Sequence, residues 1–240
     1  MHYQPIVDLA SSKVVGFEAL MRWHHAERGW IPPDFFIPVA EKSDLIVDLG
    51  EFALREATTA ASRWNFDDEC FVTVNVSARQ FRDPQLESTI ENALNKSGLS
   101  PLQLVLEVTE GTAMDDMHKT ARTLANLRRR GVQIAIDDFG AGHASFSYLV
   151  DLQPAIIKID KCFVNPEHAS RRNDIVLEAI VALGHNLNAT MLAEGVETPT
   201  HRARLRSLGC ELGQGYFFSP AVPASVALGR LKERKLEFIA

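Results

Sequence analysis

The 240-residue sequence has few cysteines, no excess of basic charge and no long apolar run. Its three cysteines, Cys70, Cys162 and Cys210, are far apart and form no CxxC pair. That pattern excludes a disulfide framework or a cysteine zinc site and indicates reduced thiols in a cytosolic protein. The net charge of −6 argues against a general binder of DNA, RNA or membrane surfaces. No stretch approaches the ~20 apolar residues of a membrane span, and no signal-peptide pattern opens the chain.

Glycine and proline, at 14 and 11 residues, are also too rare for a disordered or collagen-like chain. The sequence is 46% hydrophobic, and a chain of this length can bury a large core. No linker or low-complexity segment divides it. We therefore expect one globular domain that covers residues 1–240.

Short β-branched runs alternate with amphipathic helical segments along the chain. Strands are predicted at Tyr3–Leu9, Val14–Leu20, Phe71–Val76, Leu102–Val108, Val132–Asp137, Ala155–Ile159, Thr190–Ala193 and Gly213–Phe218. Helices are predicted at Asp44–Trp64, Pro84–Lys96, Asp115–Arg130, Arg172–Leu187, Thr200–Leu208 and Ala224–Lys235. Eight strands interleaved with helices predict an α/β fold, a TIM-like (β/α)₈ barrel. The turn between the first two strands is too short for a parallel crossover, so one strand should run antiparallel.

Polar side chains stand at the ends of six of these strands. They are Asn75, Glu107, Asp137 with Asp138, Lys158, Glu194 and Gln214. Side chains alternate between the two faces of a strand, so the aliphatic residues pack under the helices and the polar ones face the barrel interior. Barrel enzymes place their chemistry at the carboxyl ends of the strands, where we expect these side chains to converge.

The carboxyl ends of the strands form the mouth of the barrel, and a cluster of carboxylates there requires positive charge. Burying them unpaired would cost several kcal/mol for each charge, and a divalent cation removes this cost. Glu, Asp and Asn form an all-oxygen set of the kind that Mg²⁺ and Mn²⁺ prefer. The adjacent Asp137 and Asp138 suit two ions ~3.5–4 Å apart with a bridging carboxylate, an arrangement used for phosphodiester cleavage.

Eight short blocks stand in order along the chain. They are Tyr3–Ile6, Phe17–Trp23 with the tripeptide Glu18-Ala19-Leu20, Val74–Ser77, Glu107–Glu110, Asp137–Gly140, Lys158–Asp160, Ala193–Glu197 and Gln214–Tyr216. Over essentially its full length the chain resembles the EAL-domain family of bacterial cyclic di-GMP phosphodiesterases. The resemblance implies a barrel with an antiparallel first strand. It also implies metal-dependent hydrolysis of the second messenger cyclic di-GMP to linear 5′-pGpG.

The resemblance further implies a role for each matching residue. Glu18, Asn75, Glu107 and Asp137 match ligands of the first metal, Asp137 and Asp138 match ligands of the second, and Gln214 closes the metal–water network. Lys158 matches the lysine that holds the attacking water, and Glu194 matches a base or water-mediated metal partner, so that Lys158, Glu194 and Glu18 form the catalytic set. Arg22, Gln4, Met21, Lys161, Glu197 and Tyr216 match substrate contacts. The implied cofactors are two ions of Mg²⁺ or Mn²⁺.

The family also sets expectations about the whole protein. Because the chain begins inside its first strand, it resembles a domain excised from a longer protein with a regulatory or GGDEF-type domain. The expected partners are cyclic di-GMP and a second copy of the chain in a homodimer. The expected location is the cytoplasm, or the cytoplasmic side of a membrane if the full-length protein is anchored.

One loop departs from the family pattern. After Asp137-Asp138 the family continues Phe-Gly-x-Gly-Tyr-Ser-Ser, whereas His143 and Ala144 here replace the Tyr and the first Ser. In the family that Ser ties the loop to the second glutamate, here Glu110. The departure predicts altered loop order, second-metal affinity and dimer coupling, with the set of metal ligands unchanged.

Two other functions compete with hydrolysis. A degenerate family member can bind cyclic di-GMP as a non-catalytic sensor. Such members lose the metal ligands or the lysine, and this chain keeps all of them, which favours the enzyme. A third alternative is an unrelated metal-dependent barrel enzyme that abstracts a proton beside a carboxylate and has no affinity for cyclic dinucleotides.

Overall fold

The computed structural model describes residues 1–64, 70–115, 117–140, 147–164 and 171–233. The departing loop positions His143 and Ala144 lie outside these ranges. The strands are β1 (His2–Asp8), β2 (Val14–Leu20), β3 (Trp23–His25), β4 (Gly29–Ile31), β5 (Phe71–Asn75), β6 (Leu104–Thr109), β7 (Gln133–Phe139), β8 (Ile156–Ile159), β9 (Thr190–Ala193), β10 (Leu212–Gly213) and β11 (Val222–Pro223). The helices are α1 (Pro33–Glu41), α2 (Leu45–Arg63), α3 (Ala78–Arg82), α4 (Leu86–Ser97), α5 (Glu110–Asp115), α6 (Met117–Arg129), α7 (Ser147–Leu152), α8 (Lys161–Val164), α9 (Arg171–Asn186), α10 (Pro199–Ser207) and α11 (Ala224–Glu233).

Eight of the strands close into a barrel. Their order is β10-β9-β8-β7-β6-β5-β2-β1, and pairing of β1 with β10 completes the ring. Strand β1 is antiparallel to both of its barrel neighbours, β2 and β10, while the remaining barrel strands pair in parallel. The predicted (β/α)₈ barrel with an antiparallel first strand is confirmed.

The barrel interior is built in layers along the strands. An apolar layer is formed by Ile6, Val105, Ala135, Ile156, Leu192 and Leu212. Two residues nearer the mouth, on the same face of each strand, lie Gln4, Glu107, Asp137, Lys158, Glu194 and Gln214. The predicted alternation is therefore confirmed: the buried layer of aliphatic side chains lies below the site, and the polar residues lie above it.

Most of the predicted boundaries agree with the structure to within two residues. The last predicted strand, Gly213–Phe218, is wrong, because β10 ends at Gly213. The chain turns at Gly215, whose Cα lies so near Val196 that a Cβ would come within 2.2 Å of the Val196 carbonyl oxygen. The backbone N–H of Phe217 then donates to that same oxygen at 3.0 Å. The predicted helix at Asp115–Arg130 begins later, as α6, and is preceded by the separate helix α5.

Elements that the sequence did not predict surround the mouth. The β3–β4 hairpin and α1 follow β2, and the ring of Trp23 on the hairpin meets Phe36 of α1 edge-on at 5.7 Å. The short helices α3 and α5 directly follow β5 and β6, so they begin at the carboxyl ends of those strands. Within the described ranges, no helix combines the length and the apolar character needed to cross a membrane.

Candidate active site

Lys158 stands at the centre of the polar layer, surrounded by carboxylates. Its side chain is 1% exposed, and Nζ lies 2.8 Å from Glu107 Oε2, 2.8 Å from Glu194 Oε1 and 3.1 Å from Asp137 Oδ1. Glu18 Oε1 is slightly farther away, at 3.6 Å. These four carboxylates come from β2, β6, β7 and the end of β9, so only the closed barrel brings them together.

Glu18 is oriented by two amide side chains. Asn75 Nδ2 donates to Glu18 Oε1 at 3.0 Å, and Gln214 Nε2 donates to Glu18 Oε2 at 2.6 Å. Gln214 Nε2 also lies 3.0 Å from Oε1 of Gln4, whose Nε2 donates to the Ser219 carbonyl oxygen at 3.1 Å. Both carboxylate oxygens of Glu18 therefore have a fixed direction.

The pKa values of this cluster follow from burial and mutual charge. Burial and the neighbouring Glu18 raise the pKa of Glu107 well above its ordinary value. Burial acts to raise the pKa of Glu18 as well, but Lys158 and the two amide donors outweigh it and hold that pKa below the ordinary value. Burial raises the pKa of Glu194 to about 7, although Lys158 opposes the shift. Burial alone would lower the pKa of Lys158, yet the surrounding carboxylates keep it well above the ordinary value.

The donor set at the mouth fits divalent cations. Carboxylate oxygens of Asp137, Asp138 and Glu194 lie within 4.8 Å of one another. Glu107 Oε1 and Gln214 Oε1 are buried acceptors that have no hydrogen-bond partner in the described part of the chain, and a bound cation would satisfy such oxygens. Asp138 also has a left-handed backbone (φ 54°), a strained conformation that costs a non-glycine residue ~1–3 kcal/mol and is concentrated at functional sites.

The charges point to the same conclusion. When all are ionised, five carboxylates and the single ammonium of Lys158 leave a formal excess of four negative charges. The five carboxylates are those of Glu18, Glu107, Asp137, Asp138 and Glu194. Two divalent ions carry four positive charges, which would balance the excess.

The sequence matches a known protein family over most of its length. The EAL domain family matches residues 1–221. The chain belongs to the EAL domain family. It is 41% identical, over 230 residues, to the bifunctional diguanylate cyclase/cyclic di-GMP phosphodiesterase MucR of Pseudomonas aeruginosa, covering 95% of this chain and 34% of that protein.

Solved structures of EAL domains have the same fold. A structure described as the PaMucR phosphodiesterase in complex with c-di-GMP is 41% identical, with a TM-score of 0.89 over 94% of this chain and 92% of that one. The calcium and cyclic di-GMP complex of Klebsiella pneumoniae BlrP1 is 30% identical, with a TM-score of 0.81 over 92% of this chain and 55% of that one. The chain thus spans about a third of the full length of MucR and about half of the BlrP1 chain.

The six predicted substrate contacts of this EAL domain lie around the mouth in different environments. Gln4 is part of the hydrogen-bond chain to Glu18, and Arg22 Nη1 donates to the carbonyl oxygen of Met21 at 2.8 Å. Lys161, at the start of α8, and Glu197 are exposed, as is Tyr216 at 66%. Their role as contacts stays a prediction.

Glu110, the predicted loop anchor, is buried at the start of α5. Neither of its carboxylate oxygens has a hydrogen-bond partner within the residues that the structure describes. A charged group in that position needs a partner, because an unpaired buried charge is costly. This supports an anchoring role, which is still a prediction because the loop it would hold lies outside the described residues.

The EAL domain contains one mouth residue that the sequence analysis missed. Gln80 in α3 is buried, and its Oε1 accepts hydrogen bonds from both the backbone N–H and the hydroxyl of Ser77. The signal was present: Ser77 and Gln80 form the S-x-x-Q pattern of a helix capping box, just after the strand that ends in Asn75.

Proposed function

We propose that this EAL domain hydrolyses one phosphodiester of cyclic di-GMP to give linear 5′-pGpG. The observation that carries the proposal is Lys158, buried among four carboxylates at the barrel mouth. In the same polar layer, Glu107 Oε1 and Gln214 Oε1 have no hydrogen-bond partner among the residues that the structure describes. Membership in the EAL domain family and the likeness to MucR support the substrate.

The proposed cation ligands are those with oxygens directed into the mouth. They are Glu18, Asn75, Glu107, Asp137, Asp138 and, through the metal–water network, Gln214. We further propose two ions, of Mg²⁺ or Mn²⁺, because their four positive charges would balance the four excess negative charges of the fully ionised cluster. When bound, such ions neutralise the phosphodiester anion and acidify water.

The side chains of the chain account for the remaining chemistry. Lys158 Nζ is rigidly held and positively charged, so it can hold the attacking water and stabilise the charge that develops on phosphorus oxygens. The pKa of Glu194, raised to about 7, suits Oε1 of this residue to accept the proton of that water near neutral pH. The water oxygen forms a bond to phosphorus, and the bond from phosphorus to the ribose 3′-oxygen breaks. The proton that Glu194 accepted from the water passes on to the leaving oxygen, which balances the step.

Substrate binding falls to the residues around the mouth. The Arg22 guanidinium can donate two parallel hydrogen bonds to phosphate oxygens. The apolar layer of Ile6 and its neighbours below the site excludes water from beneath the reacting centre. Met21, Lys161, Glu197, Tyr216 and Gln4 are proposed as further contacts.

The wider assembly is also proposed from family membership. We expect residues 1–240 to act as one domain of a longer protein, with a regulatory or GGDEF-type domain attached, as a homodimer on the cytoplasmic side. MucR, of which the chain matches about a third, is a bifunctional diguanylate cyclase and phosphodiesterase, which supports a GGDEF-type neighbour.

A direct assay tests the proposed function. Purified protein with Mg²⁺ and cyclic di-GMP should yield pGpG by chromatography, and a chelator should abolish the product. Binding of cyclic di-GMP without turnover would replace hydrolysis with the sensor function. If the protein neither binds nor hydrolyses cyclic di-GMP, the unrelated barrel enzyme is favoured.

A further inference from the structure

Gln80 is a buried amide beside the mouth. It is 4% exposed and lines a cavity of about 310 Å³ together with Asn75 and Arg22. Its side-chain Oε1 accepts from the Ser77 backbone N–H at 3.0 Å and from the Ser77 hydroxyl at 3.1 Å. The backbone N–H of Gln80 donates to the Ser77 carbonyl oxygen at 3.1 Å. Three hydrogen bonds thus tie Gln80 to a single residue.

Ser77 stands two residues after Asn75, where the chain leaves β5 and enters α3. Between them, the N–H of Val76 donates to the Glu107 carbonyl at 2.9 Å. Asn75 itself donates to Glu18, yet it is exposed, so burial does not hold it in place. Asn75 therefore ends a strand just before a backbone turn whose Ser77 is hydrogen-bonded to Gln80.

Helix α2 holds Gln80 from the other side. At Gly50 a Cβ would lie 1.9 Å from Gln80 Nε2 and 2.7 Å from Gln80 Cδ. Glycine is unfavourable in a helix interior, and the close approach of the amide accounts for it here. Gln80 is therefore enclosed between the α2 backbone and Ser77.

We propose that Gln80, seated against Gly50, is a positioning residue that fixes Asn75 in the direction needed to share a cation with Glu18. The inference rests on the proposed function, because Asn75 is a proposed ligand there. Gln80 acts through Ser77 and the backbone of Val76.

The first test measures Mn²⁺ binding without substrate, by electron paramagnetic resonance of the free ion. Gln80→Leu should weaken Mn²⁺ binding by about tenfold, because it removes the acceptor of two hydrogen bonds. Gln80→Glu should stay within about threefold, since capping boxes use Glu and Gln alike. The matched control is Gln85→Leu, at an exposed position before α4, and it should bind like the unaltered protein. Superimposable curves for Gln80→Leu and the unaltered protein would overturn the proposal.

The second test separates positioning from simple destabilisation. Gly50→Ala should displace the amide and weaken Mn²⁺ binding, but it should have no further effect in a Gln80→Ala background, where the space is open. An equal loss in both backgrounds would overturn the role of Gln80, as would a raised KM for cyclic di-GMP with unchanged Mn²⁺ binding. If the unaltered protein binds Mn²⁺ but hydrolyses nothing, the phosphodiesterase proposal fails and the Gln80 comparison still stands.

Discussion

Nζ of Lys158 lies 2.8 Å from Oε2 of Glu107, and the two side chains are only 1% and 0% exposed. The other oxygen of Glu107 has no partner among the described residues. Water does not screen the Lys158 ammonium, so its charge acts on the neighbouring carboxylates and on whatever enters the mouth. Much of the behaviour expected of the protein follows from this buried contact.

Loss of Lys158 should affect both stability and turnover. We expect Lys158→Met to lower the free energy of unfolding of the metal-free protein by about 3–5 kcal/mol, because it leaves buried carboxylates without their cation. The turnover should fall by about a hundred- to a thousandfold while cyclic di-GMP binding remains measurable. Thermal unfolding and steady-state kinetics check both effects, with Lys96→Met at an exposed position of α4 as the control. Unchanged turnover would remove Lys158 from the chemistry.

Glu18 should be needed for activity but not for folding. Glu18→Gln keeps the side-chain volume and removes one negative charge from the proposed cage, so turnover should fall by about a hundredfold or more. The melting temperature of the metal-free variant should stay close to that of the unaltered protein, because the mutation also relieves repulsion with Glu107. Glu51→Gln on the exposed side of α2 serves as the control. Near-normal turnover with Mg²⁺ would exclude Glu18 as a ligand.

The stability of the metal-free protein should fall as the pH rises. Burial raises the pKa of Glu194 to about 7 and that of Glu107 well above its ordinary value, so the folded state holds protons that the unfolded chain releases near pH 4.5. This stabilisation is complete at low pH and is lost as the pH rises through the folded pKa values. Melting temperatures between about pH 5 and pH 8 should decline, and Glu194→Gln should reduce the slope. A stability that increases over this range would contradict the assigned protonation.

Restoring the family residue at position 144 should strengthen metal binding. Glu110 is buried, and neither of its carboxylate oxygens is paired inside the described ranges. By the family resemblance, Ala144 stands where other members have the serine whose hydroxyl pairs with this glutamate. A hydrogen bond to a charged group is worth about 1.5–3 kcal/mol, so Ala144→Ser should raise the apparent Mg²⁺ affinity by about tenfold. Titrations of Mg²⁺ against hydrolysis rate decide this, with Ala10→Ser in the exposed β1–β2 turn as the control. Superimposable curves would mean that the departure is silent.

The barrel and the convergence of polar side chains at its mouth could be predicted because both follow from local alternation. Val105 and Glu107, or Ile156 and Lys158, lie two residues apart on one strand face, so the pattern alone placed the polar member above the apolar one. The Ser77–Gln80 capping box could have been read from the sequence, but the close approach of Gln80 to Gly50, thirty positions earlier, could not, because no local pattern shows that contact.

Failures at element boundaries have an equally physical cause. Phe217 and Phe218 favour a strand by composition, but the close approach of Gly215 to the Val196 backbone turns the chain there. The hairpin of β3 and β4 has only three residues in each strand, which is too short for a periodic signal.

The pairing of β1 with β10 and β11 has a consequence for synthesis. The hydrogen bond between Gln4 and Gln214 joins residues 210 positions apart, and β1 also pairs with Val222 and Pro223. Contacts so distant in the chain form slowly, since a long loop must close first. During synthesis, Glu18 therefore stays without its partner Gln214 until β10 and the turn after it have left the ribosome. The mouth of the barrel is therefore completed only after β10 and β11 have been synthesised and can pair with β1.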